Sequence, residues 1–155
     1  MHVTAKLILP LLLIAYLTAC SEDDPISPKQ DHVEAIGMAL FQDGQMVASI
    51  LRGVPSDTLV VVEGALTEDY EVRFYDENEE LFEIHDDNHE HEEESSFAWA
   101  LEDPTVVAVL QDEGHEGTFE FRLQGLTSGG THIEFFIMHG DHADFRSGKW
   151  PVRVR

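Results

Sequence analysis

Residues 35–52 read AIGMALFQDGQMVASILR, and this stretch decides the fold class. Two apolar-rich runs, Ala35 to Gln42 and Gln45 to Arg52, flank Asp43-Gly44. Asp-Gly between such runs is a strong signal for a two-residue hairpin loop, because it adopts the left-handed backbone there at least cost. Simple alternation from that turn puts Met38 and Leu40 on one face with Val47 and Ser49. Ala39 and Phe41 then share the other face with Met46 and Ala48.

Outward from the hairpin the same short-strand pattern repeats. Leu59 to Val62, Tyr70 to Tyr75 and Leu81 to Ile84 read as strands, with a turn at Asp76 to Glu79. Phe97, Trp99 and Leu101 alternate ahead of an Asp103-Pro104 turn. Val106 to Leu110, Thr118 to Leu123, Thr131 to His139 and Trp150 to Val154 complete the set. Helical periodicity is not sustained over three turns anywhere. Short strands with turn signals at this spacing predict an all-β sandwich or small barrel.

The order Leu59-Val-Val-Val-Glu-Gly64, Val72-Arg-Phe-Tyr-Asp76, Phe97-Ala-Trp99, Asp103-Pro-Thr-Val-Val-Ala-Val109 is followed by Gly125-Leu126, Gly130-Thr-His-Ile133 and Val152-Arg-Val154. This order resembles the bacterial group-2 immunoglobulin-like domains of surface proteins and adhesins, over roughly residues 59–155. The resemblance implies an immunoglobulin-like β-sandwich of seven strands and no particular chemistry. The hairpin at 35–52 is extra to that pattern, and so are the histidines described below.

The chain has 155 residues, room for one domain of ordinary size. At 43% hydrophobic it can bury a core, although 31 Asp and Glu against 9 Lys and Arg leave a net charge of −22. Nucleic acid is excluded as a partner, since phosphate binding needs clustered Lys and Arg. Divalent cations suit this surface instead. One cysteine excludes a disulfide framework.

That cysteine stands at the end of an apolar run. Lys6 precedes Leu7 to Leu17, and the run closes in Leu17-Thr18-Ala19-Cys20. The stretch is well short of the roughly 20 apolar residues of a membrane span and fits a secretory signal. Its last four residues resemble the lipobox of bacterial lipoproteins. The resemblance implies removal of residues 1–19, acylation of Cys20 and a stable lipid anchor in the cell envelope. Ser21, in place of Asp, points to the outer membrane if the source is Gram-negative. The mature chain would hold 8 Lys and Arg against 31 acids, a net of −23. Residues 20–31, with SEDDPISPKQD after the cysteine, read as a tether, which leaves 32–155 for the β-sandwich domain.

Seven of nine histidines lie between residues 85 and 142. His85, His89 and His91 sit in a segment with six carboxylates and no Lys or Arg, ending at Glu94. His89-x-His91 projects both rings the same way if extended, whereas a solvated acidic loop is the bland alternative. The second cluster is Met138-His139-Gly-Asp-His142-Ala-Asp144-Phe145. Ile133, Phe135, Ile137 and His139 share a strand face, which places His139 at the core's rim. Gly140 lets the chain turn, so that His142 and Asp144 fold back toward His139. Two imidazoles and a carboxylate form half of a zinc or copper site, against the bland alternative of a loop whose Asp and His side chains cap backbone groups. Binding needs neutral imidazole, so acid should weaken it. His115 reads as an exposed turn histidine and His132 as a surface residue.

Signatures of catalysis are missing. His-Glu-x-x-His is absent, as are Gly-x-Ser-x-Gly and any phosphate-binding glycine loop. Asp86-x-Asn88-x-Glu90 lacks the glycine that a calcium-binding EF-hand loop needs, having His91 there. The expectation is a lipid-anchored, non-enzymatic envelope protein binding a transition-metal ion through His139, His142, Asp144, His85, His89 and His91. Its partners would be the membrane through Cys20, a divalent cation and an envelope protein. The alternative is a structural or adhesive surface module with no metal role.

Overall fold

The computed structural model describes residues 34–84, 95–115 and 117–155. Eleven strands account for its regular structure, and among the described residues no helix is long and apolar enough to cross a membrane. The expected leader and tether at 1–31 lie outside the described residues. A compact unit runs from His32 to Arg155.

The hairpin comes first, as β1 (Gly37–Gln42) and β2 (Gln45–Leu51), with Asp43 and Gly44 at φ 50° and 71°. Its register departs from simple alternation. Phe41 pairs with Met46, but Leu40 pairs with Ala48 and Ala39 with Ser49, because β2 carries an extra residue there. One inserted residue moves every later side chain to the opposite face. Ala48 and Ile50, rather than Val47 and Ser49, therefore join Met38 and Leu40 in the core.

β3 (Val54–Pro55) is a short edge strand on β2, β4 (Leu59–Val61) follows it, and β5 (Tyr70–Tyr75) pairs with β1. β6 (Leu81–Phe82) covers only the first half of the expected 81–84 strand. The rest are β7 (Ser95–Leu101), β8 (Val107–Leu110), β9 (Glu120–Gly125), β10 (Gly129–His139) and β11 (His142–Val154). Residues 140–149, which fall between the expected strands Thr131 to His139 and Trp150 to Val154, are thus mostly strand. β11 begins at His142, and two register shifts against β10 absorb the residues that break its alternation.

One sheet runs β3-β2-β1-β5-β9-β8, with β6 also on β5; the other runs β4-β11-β10-β7. Within the second, β4 lies parallel to β11, while the other pairs are antiparallel. The seven strands from Leu59 onward, apart from the short β6, divide as β5-β9-β8 and β4-β11-β10-β7. This is an immunoglobulin-like β-sandwich, and the N-terminal hairpin extends one of its sheets beyond β5.

Aromatic rings weld the two sheets. Phe135 on β10 stacks on Phe97 at 5.3 Å and meets Phe121 of the opposite sheet at 5.0 Å. Phe74 of β5 meets Phe145 of β11 edge-on at 5.6 Å. Trp150 is fully buried, and its indole N–H donates to the Asp57 carbonyl at 3.0 Å, so its polar end is satisfied. β1 is buried on both faces, since Arg73 lies 4.4 Å over the ring of the outward-facing Phe41.

Candidate metal centre

β10 and β11 meet in a tight hairpin whose loop is Gly140-Asp141. Gly140 takes φ 58°, a left-handed value that a side chain would resist, at the first loop position. His139 and His142 pair directly across this turn. Alternation along β10 aligns His139 with the buried Ile133, Phe135 and Ile137, so both histidines face the rim of the core.

Asp144 reaches the same place through a bulge. Met138 pairs with Ala143, yet Ile137 pairs with Phe145, leaving Asp144 as the extra residue. Alternation from His142 turns Asp144 inward, and the bulge turns Phe145 inward as well. The carboxylate and the core phenylalanine can therefore be neighbours on one face. Asp144 has a side chain only 2% exposed, against 23% for His139 and 49% for His142.

The three side chains converge. Asp144 Oδ2 lies 3.5 Å from His139 Nδ1, and Asp144 Oδ1 lies 3.2 Å from His142 Nε2. The two imidazoles stack with centroids 5.5 Å apart and planes at 21°. All three donor atoms lie within 4.8 Å of one another. Tetrahedral zinc with bonds of about 2.0–2.1 Å separates its ligand atoms by about 3.3–3.4 Å. The two Asp–His separations, each to a different oxygen of the carboxylate, lie close to that edge. On its other side, His142 Nδ1 faces Asp141 Oδ1 at 3.7 Å. Among the described residues, no other group of three or more His, Cys, Asp and Glu is so arranged.

The remaining sequence candidates divide. His85, His89 and His91 lie outside the described residues. The described flanks of their segment both end at the pole of His139: Ser95 pairs with His139, and Phe82 packs on Phe74, which touches Phe145. His115 belongs to a turn, where its carbonyl accepts from the Thr118 hydroxyl at 2.8 Å, and it takes no part in the group. His132 is on the outer face, with Nδ1 2.9 Å from Glu102 Oε2, and Lys149 Nζ lies 3.2 Å from the same oxygen. Sequence reading did not find this trio, because its members are 30 and 47 positions from Glu102 and only strand pairing joins them. The Lys149 hydrogen bond, then its charge, then His132 hold the Glu102 carboxyl below the usual glutamate range.

No protein-family model matches the chain, and no curated protein matches it. Among solved structures it is similar to domains 4 and 5 of the S-layer protein SbsC, with 15% identity and a TM-score of 0.39 over 76% of this chain and 53% of that one. Domains 5-6 of the same protein give 18% identity and 0.41 over 64% of this chain and 40% of the other. The chain thus spans about half, or less, of the structures it matches. These are distant likenesses, and the function proposed below rests on the chain's own residues.

Proposed function

We propose that the chain is a non-catalytic module of the bacterial cell envelope, anchored through lipid on Cys20 and serving structure or adhesion. The observation that carries this reading is the packing of the sandwich. Rings from Phe74 to Trp150 fill the space between the sheets, so the described residues offer strand edges, hairpin tips and an acidic surface to the outside. An anchored module of this kind needs a surface, not a cleft. Cys20→Ser is the test. The full chain is expected to incorporate labelled palmitate and to fractionate with the outer membrane of a Gram-negative host, and the variant to do neither. Labelling that survives the substitution would remove the anchor from this reading.

One specific observation favours a second, finer reading: donor atoms of His139, His142 and Asp144 within 4.8 Å of one another at a hairpin tip. In that reading the module binds zinc or copper without catalysis, buffering or capturing it at the envelope. His85, His89 and His91 are proposed as further donors. A ligand that binds only the folded chain raises its stability by about 2.7 kcal/mol at a hundredfold excess over Kd. For a domain of this size that is on the order of 10 °C in melting temperature. Zinc is expected to raise the melt by that order and EDTA to reverse it, with no zinc effect in His139→Ala/His142→Ala. A purely structural module would melt identically under all these conditions. The same melt in a His85/His89/His91 triple alanine variant reads whether the wider donor set takes part.

A further inference from the structure

The cations of this acidic chain are unevenly placed. Of nine Lys and Arg, four (Arg146, Lys149, Arg153 and Arg155) lie in residues 145–155, a stretch without Asp or Glu. Along β11 the buried Phe145, Ser147, Trp150, Val152 and Val154 point into the sandwich, so Arg146, Lys149 and Arg153 point out. Strand pairing sets Phe136 opposite Arg146, Glu134 opposite Lys149, and Val60 of β4 opposite Arg153. Arg146 lies 5.0 Å over the Phe136 ring. Of the acids beside them, Glu102 is engaged by Lys149 and His132. The outer face of the β4-β11-β10-β7 sheet therefore combines arginine with apolar side chains, the composition of protein interfaces.

The other sheet turns the reverse charge outward. On β5 and β9, Glu71 and Glu120 are exposed and stand directly opposite one another. Like charges so placed destabilise a sheet. Around them Asp69 and Asp112 flank Arg122, and Glu71 and Glu83 flank Arg73, so acids outnumber arginines on this face. In a two-layer sandwich the two outer faces point in opposite directions.

We propose that the Arg146/Lys149/Arg153 face docks on the Glu71/Glu120 face of a second copy of this chain. The inference deepens the structural reading above, on which it rests, by naming the partner. A cation brought over Glu71 and Glu120 relieves a repulsion that the single chain has to bear. Net charge does not forbid the contact, because at about 0.15 M salt the screening length is about 8 Å and charges in contact outweigh distant ones. The contact is heterologous, using a different patch on each copy. Its two patches lie on opposite sides of the domain, so it does not close into a dimer but propagates as a row. The four strands of the basic face cover roughly 500–600 Å² in projection, which sets each contact at the weak, reversible end of interface sizes.

Sedimentation velocity of the full chain over a range of concentrations tests this, with charge-reversed variants of each face. Wild type is expected to associate at about 0.15 M sodium chloride and to separate at about 1 M, where the screening length falls to about 3 Å. Arg146→Glu/Arg153→Glu makes both faces acidic, and Glu71→Lys/Glu120→Lys makes both basic. Each variant alone is expected to associate more than about tenfold more weakly than wild type, since like charges then meet. An equal mixture of the two is expected to recover association, because every contact again joins opposite charges. All four positions are exposed, and circular dichroism checks that each variant keeps the fold. A wild type that stays single at every concentration overturns the inference, as does association that both variants retain. Loss in each variant without recovery in the mixture also overturns it, because the two faces then do not meet. A single chain that instead sediments with phosphatidylglycerol vesicles through Arg146 and Arg153 assigns the basic face to anionic lipid and overturns it too. Palmitate labelling at Cys20 is read separately, so the anchor and this contact stand or fall independently.

Discussion

Three carboxylates outside the candidate site are held below their ordinary range, each by local donors. Asp103 is lowered by the side-chain and then the backbone hydrogen bond of Thr105, and Asp76 chiefly by the Glu80 amide. Glu102 is lowered first by the Lys149 hydrogen bond, in the exposed trio with His132. A depressed carboxyl binds its proton less readily in the folded chain than in the unfolded one. Its stabilising contribution is therefore complete above the unfolded value, about 4.3 for glutamate, and is lost as pH falls through the folded value. Urea unfolding of wild type and Glu102→Gln should show a gap in midpoint at about pH 5.5 that closes toward about pH 2.5. A gap of equal size at both pH values would mean that the ionised carboxylate contributes nothing there.

At the scale of elements, two bulged hairpins set the functional geometry. The bulge in β2 decides which residues of the first hairpin enter the core, and the bulge at Asp144 lets a carboxylate sit beside Phe145. The first hairpin also relies on close backbone approach. A Cβ at Gly37 would lie 2.5 Å from the Ile50 carbonyl oxygen and 3.0 Å from the Leu51 Cα. Gly37→Ala is expected to destabilise the domain by about 1–3 kcal/mol through forced separation of β1 and β2. Chemical denaturation measures this, and a neutral result would mean that the hairpin edge yields freely. Because β1 lies in the sheet opposite β10 and β11, and Gly37 is set against Ile50 and Leu51, any rise in melting temperature that zinc gives through the proposed site should persist in this variant.

For the whole molecule the dominant fact is charge. With 31 acids and 9 Lys and Arg, self-repulsion opposes the compact state. Several cations are already engaged: Arg122 with Asp69 and Asp112, Arg73 with Glu71 and Glu83, Lys149 with Glu102. Their carboxylates are exposed and their arginines only partly covered, so screening these pairs costs little. Screening the repulsion gains more, because it acts among all the carboxylates at once. The melting temperature should rise as sodium chloride goes from about 0.01 M to about 0.15 M, where the screening length shrinks from about 30 Å to about 8 Å. A falling melting temperature would instead show that the ion pairs outweigh the repulsion. Sodium separates this effect from the proposed site-specific binding of a divalent ion, which would depend on His139 and His142.

Strand identity was legible in the chain because it is local: Asp43-Gly44 between apolar runs, and Ile133, Phe135, Ile137 and His139 at period two, carry their own instruction. The all-β class and the folding back of His142 and Asp144 toward His139 follow from such short-range signals, whereas the immunoglobulin-like order after Leu59 came from a resemblance to known domains. What the sequence could not hold was anything that depends on an unpaired residue or a distant neighbour. The extra residue in β2 reversed the faces of Ala48 and Ser49, and the strand running through 142–149 was hidden because two bulges interrupt its alternation. The pairing of Ser95 with His139, and of Glu102 with His132 and Lys149, belongs to the same class. Periodicity records which way a side chain points relative to its own backbone. Only the packing of one strand on another determines what it then meets.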